Sequence, residues 1–532
     1  MQTAGGVPAT VSACCITNLI KKAGGCPLRT PFSLMRTMKN CPFLIFVLEN
    51  AASCTPCGAD ASRQDTQINM KTKTIALALP LFAVPSMMTA KTSKPNIIII
   101  VADDLGWGDV GYHGSVIRTP NIDRLASEGV ELDRYYSAPI SSPARAGILT
   151  GRYPSRFGFR QAVIPPWRDC GLDEGERTLA DMLAENGYAH RAVIGKWHLG
   201  HTHKVHYPLN RGFDHFYGCL NGALDYFTHI RDGELDWHND WESCYDEGYS
   251  TDLIAGEAVK CIDKYTAEEN PFFLYVAFNA PHAPYMAPED AIAEYIDPAE
   301  LEKMSKAERN GYIYRAMVSR LDKGVGNILA ALDENGIADD TIVMFVSDNG
   351  GVDGIPAGST CAPLKGHKFQ EWDGGVRVPA MIRWGGHFKP GSKLGQTVAF
   401  VDIMPTIAEI VGDKKVTDRP YDGMSILTLL NGRRKTLDRD LYLGCGAVVN
   451  NRGKFVCAEH NTALKLKSDW YSAYAEDPYE SANGIAAHRE EADRMKAIAE
   501  KYDAIVPYVP EQEYGKGKEG FTAPKEWRVT KP

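Results

Sequence analysis

Four short apolar runs, each ending in a cluster of polar side chains, constrain this chain more than any other feature. Ile97-Ile98-Ile99-Ile100-Val101 leads into Ala102-Asp103-Asp104. Ala192-Val193-Ile194 ends in Gly195-Lys196-Trp197-His198, the run 272–278 ends in Asn279-Ala280-Pro281-His282, and the run 341–346 ends in Ser347-Asp348-Asn349. Runs without polar alternation are the pattern of strands covered on both faces, as in a parallel sheet. Between them, residues 178–186, 249–265 and 312–335 read as helices. Strands alternating with helices predict an α/β fold, a large mixed, mostly parallel sheet with helices on both faces. Open sheets of this kind gather ligands at the C-terminal ends of their strands. The four polar clusters are therefore expected to converge on one site at one sheet edge.

The first strand is followed by 119–129, a helix with Thr119 as cap, Pro120 at its first position and Gly129 at C′. The run 130–136 returns as a strand, and 401–411 reads as one more helix of this domain, expected to span 91–430. From about Arg439 the pattern changes. Short strands at 441–443, 454–458 and 463–467 have no helices between them and predict a small antiparallel sheet. A helix over 488–502 follows, with Ala492, Met495, Ile498, Ala499 and Tyr502 at helical spacing. This smaller α+β part is expected to span 431–532.

With 532 residues the chain is long enough for two sizeable cores. Its net charge of −9, without a long Lys/Arg run, argues against a nucleic-acid partner. Met70-Lys71-Thr72-Lys73 and the apolar stretch 75–84 have the form of a secretory signal, too short to span a bilayer, with cleavage near Ala90. Residues 1–69 precede that signal and show no clear element pattern. They are expected to come from an upstream start and to be disordered and absent from the natural product. The seven cysteines beyond them are scattered and odd in number, which excludes a dense disulfide framework and leaves room for one bridge.

Two stretches carry chemistry. In Ser141-Ser142-Pro143-Ala144-Arg145, Ser142 and Pro143 form an N-cap and first-turn pair, so a helix is expected from Pro143 to a fraying end at Gly151. Ser141 then sits before a helix N-terminus that favours anions, with the Arg145 fork close by. By itself the stretch reads more readily as a capped helix with a surface arginine. Asp103, Asp104, Asp348 and Asn349 offer only hard oxygen ligands from two strand ends, which suits Ca²⁺ or Mg²⁺ and disfavours zinc.

The whole string from Ser141 to Arg152 resembles the signature of type I sulfatases, with Ser141, Pro143, Ala144, Arg145 and Thr150-Gly151-Arg152 at its fixed positions. Lys368 within Leu364–Lys368, ahead of Gly374-Gly375-Val376-Arg377-Val378-Pro379, is similar to a further stretch of that family, although Lys365 replaces its usual arginine. Asp477-Pro478-Tyr479-Glu480 through Asn483 resembles a turn near the end of such enzymes. The resemblance implies an alkaline-phosphatase-like fold and hydrolysis of sulfate esters. It implies that Ser141 is converted to formylglycine by a radical-type maturase, and that one Ca²⁺ is bound by Asp103, Asp104, Ser141, Asp348 and Asn349. Catalytic roles then fall to Ser141, Arg145, Lys196, His198, His282 and Lys368. A serine at the modified position points to an anaerobic Gram-negative bacterium and to export to its periplasm or surface.

For substrate, the stretch 212–229 is similar to one in arylsulfatase B-like enzymes acting on sulfated amino sugars. Asp225, Tyr226 and His229 are expected to bind sugar hydroxyls, and Trp237 and Trp241 to stack on rings or to fill the core. A sulfated glycan or glycosaminoglycan fragment is preferred over an aryl sulfate. Two rivals remain on the same fold: a phosphate or phosphonate ester hydrolase, and a catalytically dead glycan-binding protein.

Overall fold

The isoleucine run does what its lack of alternation demands. β1 (Asn96–Ala102) sends Ile97, Ile99 and Val101 into one core and Ile98, Ile100 and Ala102 into another, all six buried. A fully buried isoleucine contributes about 1.5–3 kcal/mol, so this strand is anchored from both faces. The computed structural model describes residues 94–532 apart from 161, 356–357 and 511–515. The 1–69 extension and the 70–90 signal lie outside the described residues.

Following β1 come α1 (Pro120–Glu128), β2 (Val130–Glu131), β3 (Tyr135–Tyr136), α2 (Ser141–Thr150) and α3 (Leu179–Glu185). Next are β4 (His190–Lys196), β5 (His215–Cys219), the short strands β6 (Ile230–Arg231), β7 (Glu234–Leu235), β8 (His238–Asn239) and β9 (Glu242–Ser243), and α4 (Ser250–Ala267). β10 (Phe272–Ala277), the long α5 (Lys306–Glu334), β11 (Thr341–Ser347), β12 (Ala380–Arg383), β13 (Ser392–Lys393), β14 (Val398–Ala399) and α6 (Ile403–Val411) complete the main body. The main sheet has the order β13-β2-β12-β11-β1-β10-β4-β5-β8-β9. Its centre, β11-β1-β10-β4, consists of the four anticipated strands, all parallel. α2, α3 and α6 cover one face, and α1, α4 and α5 the other.

The C-terminal part is a four-stranded antiparallel sheet of β15 (Leu441–Gly444), β16 (Ala447–Val449), β17 (Gly453–Val456) and β18 (Trp470–Ala473), covered by α7 (Arg489–Asp503). Its apolar side chains join the same core as α2 and α6.

Three expectations fail locally. The run 130–136 is not one strand, because the charged pair Asp133-Arg134 turns the chain, with the Tyr135 amide bonded to the Leu132 carbonyl at 3.1 Å. β2 and β3 consequently join different sheets. Residues 463–467 alternate like a strand but form a turn with Lys465 at φ 50°, and Trp470–Ala473 takes the place beside β17. Gly129 ends α1 in extended backbone (φ −121°) rather than a left-handed cap; a Cβ there would lie 2.6 Å from the Ile382 carbonyl oxygen of β12.

Candidate active site

The C-terminal ends of β1, β4, β10 and β11 lie side by side, and α2 lays its N-terminus across them. The helix starts earlier than Ser142 capping would allow. Ile140 is the N-cap with extended backbone, and Ser141 and Ser142 are already helical. Ser142 cannot cap because its hydroxyl is committed elsewhere: Oγ donates to the His198 carbonyl at 2.9 Å and accepts the Ile164 amide at 3.1 Å. At the other end Gly151 closes the helix in the left-handed region, φ 68°.

Ser141 Oγ sits 3.3 Å from both Asp103 Oδ1 and Asn349 Oδ1. Around it are three buried carboxylates and three buried cations. Lys196 Nζ reaches Asp103 Oδ2 at 2.5 Å, and Lys368 Nζ reaches Asp104 Oδ1 at 2.7 Å. Arg145 forks onto Asp348 Oδ2 through Nε and Nη2 at 3.1 and 2.9 Å, and lies 3.7 Å from Asp103. His282 Nε2 is 3.7 Å from Asp104 Oδ2. Burial pushes the Asp103 carboxyl up, against the pull of Lys196. Asp104 is held low by Lys368 and His282, which outweigh its burial. Burial, reinforced by the surrounding cations, keeps the imidazole of His198 neutral.

Asp104 (φ 68°) and His198 (φ 58°) both occupy the left-handed backbone region, at a cost of roughly 1–3 kcal/mol each. The first lets Asp104 turn toward Lys368, and its amide bonds Asp348 Oδ1 at 3.2 Å. The second turns the His198 ring so that Nε2 meets the Ile164 carbonyl at 3.1 Å. A carbonyl can only accept, so Nε2 carries the proton and Nδ1, buried without a partner among the described residues, carries the lone pair. The ring lies against Gly222, where a Cβ would come within 2.4 Å of it.

Ser141, His198, His282 and Lys368 line a cleft of about 730 Å³, with Val163, Pro165, Pro166, Arg231 and Phe369 around it. Asp103 and Asn349 adjoin this lining through Ser141, Asp104 through Lys368, and Asp348 through the Asp104 amide. Three carboxylates and an amide oxygen fit a hard, oxygen-seeking cation such as Ca²⁺. Lys365 stands apart from this group, with its Nζ on the Glu480 carbonyl at 2.9 Å and over the rings of Trp372 and Trp470.

The residues expected to touch sugar are not in the cleft. Tyr226 is buried, with its hydroxyl 2.7 Å from both the Asn279 and His282 carbonyls, so it braces the His282 loop. His229 is buried against Trp237, and Trp237 is core. Asp225 accepts the amides of Phe227 and Thr228 and shapes its own turn. Trp241 stacks on Tyr207 beside a different cleft. Of the two uses open to these aromatics, Tyr226 and Trp237 take the core one, whereas Trp241 stays partly exposed. Conversely, Ser142, Ile164, Arg231 and Phe369 belong to the site without a local pattern that marks them for it, since their part depends on contacts distant in sequence.

A family model described as Sulfatase matches residues 95–413, which span all four strand ends and α2. The chain belongs to the sulfatase family. It carries a type I sulfatase domain, the domain of a sulfate-ester hydrolase. It is similar to the N-acetylgalactosamine-6-sulfatase of Mus musculus, with 31% identity over 443 residues covering 78% of this chain and 81% of that protein. Arylsulfatase J of Mus musculus is 36% identical over 352 residues, 64% of this chain, and the match spans only 56% of that relative's length. Among solved structures, that of Ps i-CgsB in complex with k-i-k-neocarrahexaose superposes with a TM-score of 0.69 at 30% identity, covering 79% of this chain and 95% of the other. Among the described residues of this sulfatase, no helix is long and apolar enough to cross a membrane.

Proposed function

We propose that this sulfatase removes sulfate from a carbohydrate, through formylglycine formed from Ser141 and one Ca²⁺ held by Asp103, Asp104, Asp348, Asn349 and residue 141. The observation that carries the reading is the position of Ser141 Oγ, 3.3 Å from both Asp103 and Asn349 and open to the cleft. The calcium ion, when bound, supplies Lewis-acid polarisation to the nucleophile and the sulfonyl oxygens. Formylglycine, once formed and hydrated by a water molecule, would offer two hydroxyls on one carbon, one as nucleophile towards sulfur and one whose deprotonation would release sulfate and restore the aldehyde.

The chain's own groups do the rest. Lys196, Lys368 and Arg145 bring positive charge to the floor of the cleft, where it counters charge developing on the transferring group. His198, with Nε2–H committed to the Ile164 carbonyl, keeps Nδ1 as a base to take the second hydroxyl's proton. His282 or Lys368, both beside Asp104, protonates the departing alcohol. A carbohydrate substrate is supported by the relatives, one named for N-acetylgalactosamine 6-sulfate and one bound to a neocarrahexaose. The signal-like stretch 70–84 supports export to the periplasm or cell surface, after maturation by a radical-type enzyme.

The test is peptide mass spectrometry of active protein from its native host. Loss of a hydrogen pair from Ser141 is expected, together with turnover of sulfated sugars and not of the matching phosphate esters. Unmodified Ser141 in active protein overturns the mechanism.

A further inference from the structure

Away from the catalytic cleft, His215, Glu257 and Cys261 each offer a metal-ligating atom, and the three atoms lie within 4.8 Å of one another. His215 opens β5, paired with Ala192, whereas Cys219 at the other end of that strand pairs with Lys196 of the catalytic site. Four residues of strand, about 13 Å, therefore separate the cluster from the cleft floor along the sheet. Glu257 and Cys261 are four apart on α4 and so project from one face of the helix. The three residues line a separate cleft of about 520 Å³.

The geometry points to a second metal site here, in which His215 Nε2, Glu257 Oε1 and Cys261 Sγ bind a divalent transition metal of the Zn²⁺ class. Nitrogen, oxygen and sulfur donors together select such an ion over Ca²⁺ or Mg²⁺. The imidazole is already oriented for it. Asp240 Oδ1 takes Nδ1 at 3.0 Å and is itself fixed by the Phe216 amide at 3.0 Å, which leaves Nε2 facing Glu257 Oε1 at 3.1 Å. A carboxylate behind a ligating histidine is the usual outer partner that sets tautomer and basicity. Lys260 takes the other oxygen of Glu257, at 3.0 Å, so Oε1 remains for the site. Metal binding releases the Cys261 thiol proton, and any proton on His215 Nε2, to solvent; nothing is oxidised or reduced. Small side-chain rotations would draw the donors to the 2.0–2.3 Å typical of zinc, with the fourth position open to the cleft. The ion would tie the edge of the parallel sheet, β5, to α4.

Cobalt is the decisive probe, because a thiolate bound to Co²⁺ gives a charge-transfer band in the near ultraviolet and the catalytic oxygen set has no thiol. Co²⁺ added to the full, calcium-loaded chain is expected to produce the band, and Zn²⁺ to displace it stoichiometrically. Cys261→Ser should abolish the band, His215→Ala should weaken Zn²⁺ binding by ~100-fold or more, and Asp240→Asn by ~10-fold. A band that survives Cys261→Ser, arising from another cysteine, overturns the proposal. So does the absence of any band, or Zn²⁺ affinity unchanged in His215→Ala.

Discussion

Ser142 is the residue whose structural part departs furthest from its apparent one, and replacing it by alanine tests the geometry of the site directly. Its hydroxyl ties three segments together: α2 itself, the loop at Ile164 and the end of β4 at His198. Alanine keeps the helix and removes one hydroxyl, leaving the Ile164 amide and the His198 carbonyl without that partner. Serine, amide and carbonyl are all buried, and each orphaned group costs about 1–2 kcal/mol. The sum is about 2–4 kcal/mol, or a Tm lower by ~2–4 °C for a chain of this size. The same change frees Ile164, whose carbonyl fixes the tautomer of His198. Turnover should fall by ~10-fold, short of the 10²–10⁴ expected for losing the base outright. Ser155→Ala is the matched control, because that buried hydroxyl has no hydrogen-bond partner among the described residues, and its loss should be neutral or slightly stabilising. The assay is thermal or urea unfolding of both variants beside kcat on a sulfated sugar. If Ser142→Ala unfolds within ~0.5 kcal/mol of wild type, or no differently from Ser155→Ala, the clamp does not exist as described.

Asp348→Ala removes both a proposed metal ligand and the carboxylate that takes Nε and Nη2 of Arg145. Turnover should vanish and stability drop by about 3–5 kcal/mol with the circular dichroism of the sheet retained; wild-type kcat/KM with metal bound would disprove the assignment. Glu371 is buried and its carboxyl is pushed up from 4.5 to about 7 by that burial. Between those two values the unfolded chain has lost its proton while the folded one keeps it, so stability declines as pH rises, by on the order of 3 kcal/mol in total. Glu371→Gln should erase that slope, matching wild type near pH 4.5 and exceeding it by ~3 °C in Tm near pH 8; parallel curves would refute the buried-acid reading. Lys454 is fully buried between Asp373 at 2.6 Å and Glu480 at 2.9 Å. Lys454→Met removes the ammonium that two buried carboxylates share and should cost about 3–5 kcal/mol, well above Lys365→Met, whose amine meets a carbonyl and two ring faces.

The central sheet was readable because both-face burial leaves a signature in each strand separately, and Ile97–Val101 needs no knowledge of its neighbours to announce itself. The strand ends were readable for the same reason: parallel order carries Asp103, Lys196, His282 and Asp348 to one edge whatever lies between. Contacts that cross the fold had no such signature. Ser142 and His198 are 56 positions apart, and a Ser-Pro pair argues locally for a cap. The alternation at 463–467 mimics a strand, yet β17 had a better neighbour in Trp470–Ala473. The aromatics at 226–241 could equally fill a core or meet a sugar, and only their burial decides between those uses.

The antiparallel sheet at the end of the chain bears on how such proteins could be recombined. Glu480 Oε2 accepts the Asp373 amide at 2.7 Å, Lys454 reaches the Asp373 carboxylate, and Lys365 bonds the Glu480 backbone. These bonds fix the loop that carries Lys368 into the cleft. The matched family region stops at residue 413, but a chimera joined there to another protein's ending would take the Lys454 ammonium from the buried Asp373 and leave it the more distant Arg377, at 3.7 Å. Exchange between relatives is therefore expected to succeed only when the incoming ending brings its own equivalents of Lys454 and Glu480, so that the two parts of the chain are inherited as one unit.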